Sequence, residues 1–164
     1  MEPPAEVATV APVTAAPEHN LQLDLGLAVV ALAYEHTLAP RLAIQIEGGI
    51  FGTWFAPIVD GANFTGFGGG IRPTFFLTDD APRGVYIAPF LRIDRVTVDK
   101  PGATKEWGYS TGAFAGYSWL IGEHFNVRAG AGAQWFAYEV FVGQRRESFR
   151  TFFPALDLVV GYAF

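Results

Sequence analysis

Apolar residues alternate with polar or small residues through most of the chain after residue 20. In one clear stretch, Leu42, Ile44 and Ile46 lie on one face, and Gln45 and Glu47 lie on the other. Because successive side chains of a β-strand point to opposite sides of the sheet, a period of two predicts strands. The same alternation predicts six strands after Pro40, which begin at Leu42, Phe64, Val85, Trp107, Phe125 and Leu156.

The predicted strands are long. Phe64–Leu77 alternates over 14 residues, whereas strands of soluble proteins have about 5–6. A tilted strand needs about 9–11 residues to cross a bilayer. The lengths therefore suit a transmembrane β-barrel, which would be all-β.

The two faces of these strands differ in a way that indicates which one faces lipid. One face is apolar almost throughout, while the other is glycine-rich and carries only a few charges. These charges are Glu47, Arg72, Arg92, Asp94, Arg128 and Asp157. Facing a narrow lumen, three arginines can pair with three carboxylates, and paired buried charges are tolerated far better than isolated ones. The pattern predicts lipid on the apolar face and a packed, charge-paired polar interior.

Composition narrows the function classes. Charged residues make up 16% of the chain, against about 25% in average proteins. There is no cysteine, which excludes disulfides and thiolate sites. The net charge is −5 without a basic run, which argues against a nucleic-acid partner. The chain has no uninterrupted apolar stretch of ~18 residues, the length that would predict a transmembrane helix.

Aromatic residues concentrate near strand ends, where a lipid-spanning barrel carries its aromatic girdles. The girdle predicted from this placement consists of Trp54, Trp107, Tyr109, Trp119 and Trp135.

The C-terminus carries the most specific pattern. Alternate residues of the last nine are apolar or aromatic and in phase with the terminal Phe: Leu156, Leu158, Val160, Tyr162 and Phe164. This row resembles the terminal-strand signature of bacterial outer-membrane barrels, and 21–164 resembles the small eight-stranded barrels of the OmpX, OmpA and opacity-protein kind. Further segments resemble uncharacterised members of this group: Arg41–Gly49, Ala81–Pro89 and Gly161–Phe164.

The resemblance implies a closed, antiparallel, up-and-down transmembrane β-barrel of eight strands in the bacterial outer membrane. It implies that the barrel-assembly machinery reads the terminal row and that the surroundings are lipid and lipopolysaccharide. It also implies a monomer with a structural or surface-interaction role, without catalytic residues, cofactor or metal.

The N-terminal region leaves two accounts of the first two strands open. Residues 1–20 form a proline- and alanine-rich segment expected to be flexible, and the barrel domain is 21–164. Leu21–Leu27 and Val30–Tyr34 alternate in opposite phase. One account is a bulge in a single strand, with Val7–Thr14 as the missing first strand. The other is a tight hairpin, which is less favoured because Ala28-Val29 has no turn chemistry.

The same segment lacks the basic start and apolar core of a secretory signal. We therefore expect either a chain that is not exported or a mature form that begins with a replacement Met.

Candidate chemistry is sparse. His19, His36 and His124 lack metal-ligand spacing, and no acid accompanies Ser118 and His124, so we expect no enzymatic activity. Gly66–Gly70 lacks the Lys-Ser/Thr that follows a phosphate loop. Arg145, Arg146 and Arg150 fall in a predicted outer loop, where they would be solvated or would contact lipopolysaccharide phosphates.

The competing interpretation is a soluble, secreted barrel of the lipocalin type that binds an apolar ligand. Gly52-Thr-Trp54 matches the lipocalin Gly-x-Trp pattern, although it ends a strand here. This interpretation requires the apolar face to point inward, because water does not tolerate large exposed apolar surfaces.

Overall fold

The computed structural model describes residues 17–54 and 63–164. They form eight strands: β1 His19–Asp24, β2 Val29–Ala39, β3 Leu42–Gly52, β4 Phe64–Phe76, β5 Gly84–Val98, β6 Glu106–Ile121, β7 Phe125–Val142 and β8 Arg145–Ala163. Each strand pairs antiparallel with its neighbours in sequence, and β8 pairs with β1. The predicted closed, up-and-down, eight-stranded barrel is confirmed. Within the described residues, no helix is long and apolar enough to cross a membrane.

The first two strands form the hairpin, so the favoured bulge is wrong. Leu23 of β1 lies opposite Leu32 of β2, which makes them partners in an antiparallel pair. The turn runs from Asp24 to Val29: the Gly26 N–H donates to Asp24 Oδ1 at 3.2 Å, and the Val29 N–H donates to Gly26 O at 3.3 Å. An aspartate that accepts from the backbone two residues later is turn chemistry, and Asp24-Leu-Gly26 supplies it. Val7–Thr14 lies outside the described residues.

The barrel has two rims. The terminal rim holds His19, Phe164 and the turns after β2, β4 and β6, and the distal rim holds the connections after β1, β3, β5 and β7. At the distal rim, β7 and β8 continue to Val142 opposite Arg145, joined by Gly143 and Gln144, and Gly143 has a φ of 62°. The outer loop predicted to hold Arg145, Arg146 and Arg150 is therefore wrong, because these residues belong to β8. The segment is polar because this hairpin extends beyond the apolar band, where both faces of a strand can be polar.

The apolar face points outward. Ile46 is 58% exposed and Leu91 41% exposed, whereas Arg72, Arg92 and Arg128 are at most 1% exposed. The lipocalin-like interpretation requires the reverse orientation and is overturned. An outer wall of this kind suits lipid rather than water.

The distal part of β8 has an open edge. Between Leu158 and the distal rim, β8 pairs only with β7 among the described residues. The Leu158 carbonyl accepts the Leu25 N–H at 2.8 Å. Backbone groups two and four residues along a strand point the same way, so the nitrogen of Pro154 faces this open edge. Proline has no N–H to leave unpaired in lipid.

Leu91→Arg tests the orientation of the wall. An arginine on the lipid face costs about 2–4 kcal/mol at the bilayer midplane and about 0–1 kcal/mol near the interfaces. We expect Leu91→Arg to lower the free energy of unfolding in lipid vesicles, measured by urea titration, by the larger amount. Ile121→Arg, at the terminal end of β6, is the control and should have a small effect. Equal stability of the parent and Leu91→Arg would contradict the orientation.

Candidate functional site

The interior of the barrel is a filled core with a central layer of charges. The inward face of β5 shows the order from the terminal to the distal rim: Tyr86, Ala88, Phe90, Arg92, Asp94, Val96 and Val98, all buried. At the distal end, Phe64, Tyr138 and Phe149 pack with Val96 and Val98 in an apolar cluster. This apolar cluster therefore lies between the charged layer and the distal rim.

Asp24 bridges two arginines in this layer. Arg92 donates through Nε to Glu47 Oε1 at 2.6 Å and through Nη2 to Asp24 Oδ2 at 3.3 Å. Arg72 Nη1 lies 3.3 Å from the same oxygen of Asp24 and donates to Asp157 Oδ1 at 2.7 Å. Gln45 Oε1 accepts from Arg72 Nε at 3.1 Å and from Nη2 at 2.7 Å. These contacts link β1, β3, β4, β5 and β8 across the lumen.

Arg128 forms a second group nearer the terminal rim. Its Nη2 donates to both carboxylate oxygens of Glu35, at 3.0 and 2.9 Å. Gln22 Nε2 donates to the same carboxylate at 3.2 Å. The Arg128 guanidinium lies 5.1 Å from the ring centre of Tyr86, a cation–π distance.

Tyr86 links this group to the central layer. Its hydroxyl donates to Asp157 Oδ2 at 2.5 Å. A Cβ at Gly116 would lie 2.8 Å from that hydroxyl, and a Cβ at Gly130 would lie closer still. These two glycines make room for Tyr86, which gives the glycine-rich inward face a physical reason.

All six charges predicted for the interior are buried. Five of them take part in ion pairs, while Asp94 accepts a hydrogen bond from the Tyr138 hydroxyl at 2.9 Å. Asp24 and Glu35 were missed, so the interior charges of the described residues are five carboxylates against three arginines, not three against three. The alternation recognised in the sequence ends at Tyr34, whereas β2 continues to Ala39 and so includes Glu35. Asp24 lay where the strand phase was ambiguous.

Ser118 and His124 are held apart. The Ser118 hydroxyl donates to Pro82 O at 2.5 Å inside the barrel. His124 stacks on Tyr162 with ring centres 5.3 Å apart, and its Nδ1 lies 2.9 Å from Ala163 O. Among the residues that the structure describes, no three potential metal ligands come together.

The predicted girdle residues lie near both rims. Trp54, Trp107, Tyr109 and Trp135 are on the distal side, and Trp119 is on the terminal side. Four of the five are at least 40% exposed on the outer wall, and Trp135 is partly exposed there. This placement is compatible with two aromatic belts.

The C-terminal row lies on the seam that closes the barrel. Tyr162 pairs with Leu21, and Val160 pairs with Leu23. Phe164 exchanges backbone hydrogen bonds with His19 at 2.8 and 3.0 Å. The side chains of Phe164, Tyr162, Leu158 and Leu156 are 44–57% exposed on the outer wall.

Similar folds occur among solved barrels. The chain superposes on Neisserial surface protein A with a TM-score of 0.54 and 13% identity, covering 88% of this chain and 92% of that one. It superposes on the N-terminal barrel domain of Pseudomonas aeruginosa OprF with a TM-score of 0.53 and 13% identity, covering 89% and 95%. For the E. coli outer membrane protein W, the TM-score is 0.53 and the identity 12%, over 91% and 98%.

The chain has the fold of the small eight-stranded outer-membrane barrels. This likeness agrees with the outer-membrane location predicted from the sequence. No protein-family model and no curated protein matches the chain.

Arg92→Ala tests the charged layer. Removing Arg92 leaves Glu47 without its 2.6 Å partner and Asp24 with one arginine fewer. Breaking a buried pair from one side costs about 3–5 kcal/mol, so we expect the free energy of unfolding in vesicles to fall by about that amount. Arg95→Ala, on the outward face of the same strand, is the control. A loss no larger for Arg92→Ala than for Arg95→Ala would show that the ion pairs do not stabilise the barrel.

Proposed function

We propose that this protein is an integral outer-membrane barrel with a sealed lumen, which acts as a structural element and as a platform for contacts at the membrane surface. The observation that carries the proposal is the combination of an apolar outer wall with an interior filled by ion pairs. A soluble carrier would keep its interior for a ligand, and a wide pore would keep it for water. Eight strands leave room for side chains but not for a broad channel.

The interior supports a structural role and not a catalytic one. Each guanidinium of the network meets a carboxylate, and an apolar cluster separates the network from the distal rim. A catalytic group would need to reach a substrate, and these side chains are at most a few per cent exposed. We therefore assign the charges to packing, with no enzymatic activity and no cofactor.

The outer wall defines the partners. The proposed partners are bilayer lipids along the apolar band, lipopolysaccharide beside the distal half and the barrel-assembly machinery during insertion. The girdle residues Trp54, Trp107, Tyr109, Trp119 and Trp135 would lie at the two interfaces, as aromatic side chains do in membrane barrels. We further propose that the barrel acts as a monomer.

Conductance in planar bilayers tests the sealed lumen. The refolded chain should show the heat-modifiable gel shift of a folded barrel and require detergent for extraction. Under the same conditions it should add no steady conductance to the bilayer. A reproducible ohmic current at neutral pH would contradict the sealed lumen, and extraction into buffer without detergent would contradict the membrane location.

Deleting Phe164 tests the proposed assembly signal Leu156, Leu158, Val160, Tyr162 and Phe164. Burial of one aromatic side chain contributes about 1.5–3 kcal/mol at most, so folding into synthetic liposomes should change little. Folded barrel in cells should fall strongly, because unassembled strands expose edges that aggregate.

Phe125→Ala is the control, since Phe125 is 46% exposed on the outer wall opposite Tyr162. It removes an aromatic side chain at the same rim without changing the terminal row. Equal amounts of folded parent and truncated barrel in cells would exclude the signal.

A further inference from the structure

A groove lies on the outer wall at the distal end of β6, β7 and β8. Its floor is Ala137, which pairs with Tyr109 of β6 on one side and with Arg150 of β8 on the other. The Ala137 side chain is a single methyl group, and the long side chains around it enclose a depression of about 400 Å³. Its lining also includes Trp107, Trp135 and Phe141 and the two carboxylates of Glu106 and Glu139.

Aromatic rings form the walls of the groove. Trp107 and Tyr109 line the β6 side and are 65% and 45% exposed. Trp135 lies at the end nearer the apolar band and contacts Phe152 edge to face, with ring centres 4.9 Å apart. Aromatic faces carry partial negative charge and attract the polarised C–H groups of a sugar ring. A column of such rings suits a saccharide.

Charged groups border the same groove on the side away from the apolar band. Glu139 Oε2 accepts from Arg150 Nη2 at 3.1 Å and also from Arg146 Nη2. One carboxylate thereby holds two guanidinium groups next to each other on the outer wall. On the β6 side, the Arg95 guanidinium lies 5.3 Å from the ring centre of Trp107. Guanidinium groups bind phosphate through paired hydrogen bonds.

The order of these features along the wall selects the occupant. Between the groove and the terminal rim, the outward residues of β8 are Phe152, Pro154, Leu156 and Leu158, which belong to the apolar band. On the distal side of Trp135, Glu139 and its two arginine partners make the groove too polar for an acyl chain. A molecule that fits both must carry acyl chains next to a phosphorylated sugar, and a glycolipid of the outer leaflet has this arrangement.

We propose that the groove over Ala137 binds a phosphorylated sugar of the outer-leaflet glycolipid, with its acyl chains along β7 and β8. The sugar ring packs on Trp107 and Trp135, and Arg146 and Arg150 meet the phosphate. The inference rests on the proposed outer-membrane function, because the acyl chains need the bilayer beside the groove. Arg146 and Arg150 thereby acquire the phosphate role that the sequence left open between solvent and lipopolysaccharide.

A substitution that fills the floor tests the groove without altering any charge. The barrel is refolded into phosphatidylcholine nanodiscs that contain lipopolysaccharide truncated to lipid A and inner core. Retained glycolipid is then measured by native mass spectrometry after detergent release. Ala137→Leu should lower the affinity for the glycolipid at least tenfold, since the leucine occupies the position of the sugar. Arg150→Gln should also lower it, by removing a phosphate contact.

Ala133→Leu is the matched control. Ala133 lies on the same outward face of β7, four residues closer to the terminal rim and opposite Pro154. It should retain the glycolipid as the parent does. Folding of each variant is checked by its heat-modifiable gel shift.

Four outcomes would overturn the inference: parent-like affinity of Ala137→Leu, equal retention of phosphatidylglycerol, equally tight binding of the soluble core oligosaccharide without lipid, or no retained glycolipid on a parent that inserts. The second would indicate charge attraction alone, and the third a soluble ligand. A parent that inserts but retains no glycolipid refutes this inference and leaves the proposed function intact. Failure of the parent to insert refutes the proposed function itself.

Discussion

The carboxylate of Asp24 is the contact on which closure of the barrel depends most. β1 has only six residues and meets β8 over five register pairs, whereas β7 and β8 pair over eighteen. The seam between first and last strands is therefore the weakest part of the hydrogen-bonded ring. Asp24 adds a second attachment, because its Oδ2 lies 3.3 Å from Arg72 of β4 and from Arg92 of β5 on the far side of the lumen. The ion pairs hold β1 from inside while the backbone holds it along the seam.

Lipid imposes the remaining constraints. Every backbone polar group in the apolar band needs a partner within the protein, and β1 is too short to supply partners along the whole of β8. Pro154 removes one donor from the open edge, and farther along β8 the outward residues become Arg150, Ser148 and Arg146. Charges on an edge also discourage pairing with other strands. The same arginines that protect the edge border the groove over Ala137.

Much of this architecture could be predicted from the period of two. The six strands after Pro40, the direction of each face and the burial of Arg72, Arg92 and Arg128 depend only on alternation along single strands. The hairpin between β1 and β2 could not be predicted this way, because a change of phase at Ala28-Val29 is expected both of a bulge within one strand and of a turn between two. Once that turn is in place, Asp24 points inward, and β2 extends far enough for Glu35 to face Arg128.

The partner of each arginine was also beyond the reach of the sequence. The sequence predicts that three arginines pair with three carboxylates but does not say which, and the structure pairs Arg92 with Glu47 and Arg72 with Asp157. Depth along a strand follows from residue number. The angle around the lumen follows only from the register of all eight strands, since a slip of one residue turns each side chain to the other face.

Because side chains fill the interior, we expect binding to other molecules to occur on the outer wall. Inside, buried side chains joined by ion pairs and hydrogen bonds fill the space. Outside, a barrel in lipid gains from an apolar surface without gaps, and aromatic girdles alone require no depression between them. The outward face of β7 also carries Ala129, Ala131 and Ala133, so what distinguishes Ala137 is that Trp107, Tyr109, Trp135 and Arg150 surround it. Rings and a guanidinium around a single methyl group leave a space with both apolar and charged borders, and such a space suits an occupant that carries both kinds of group.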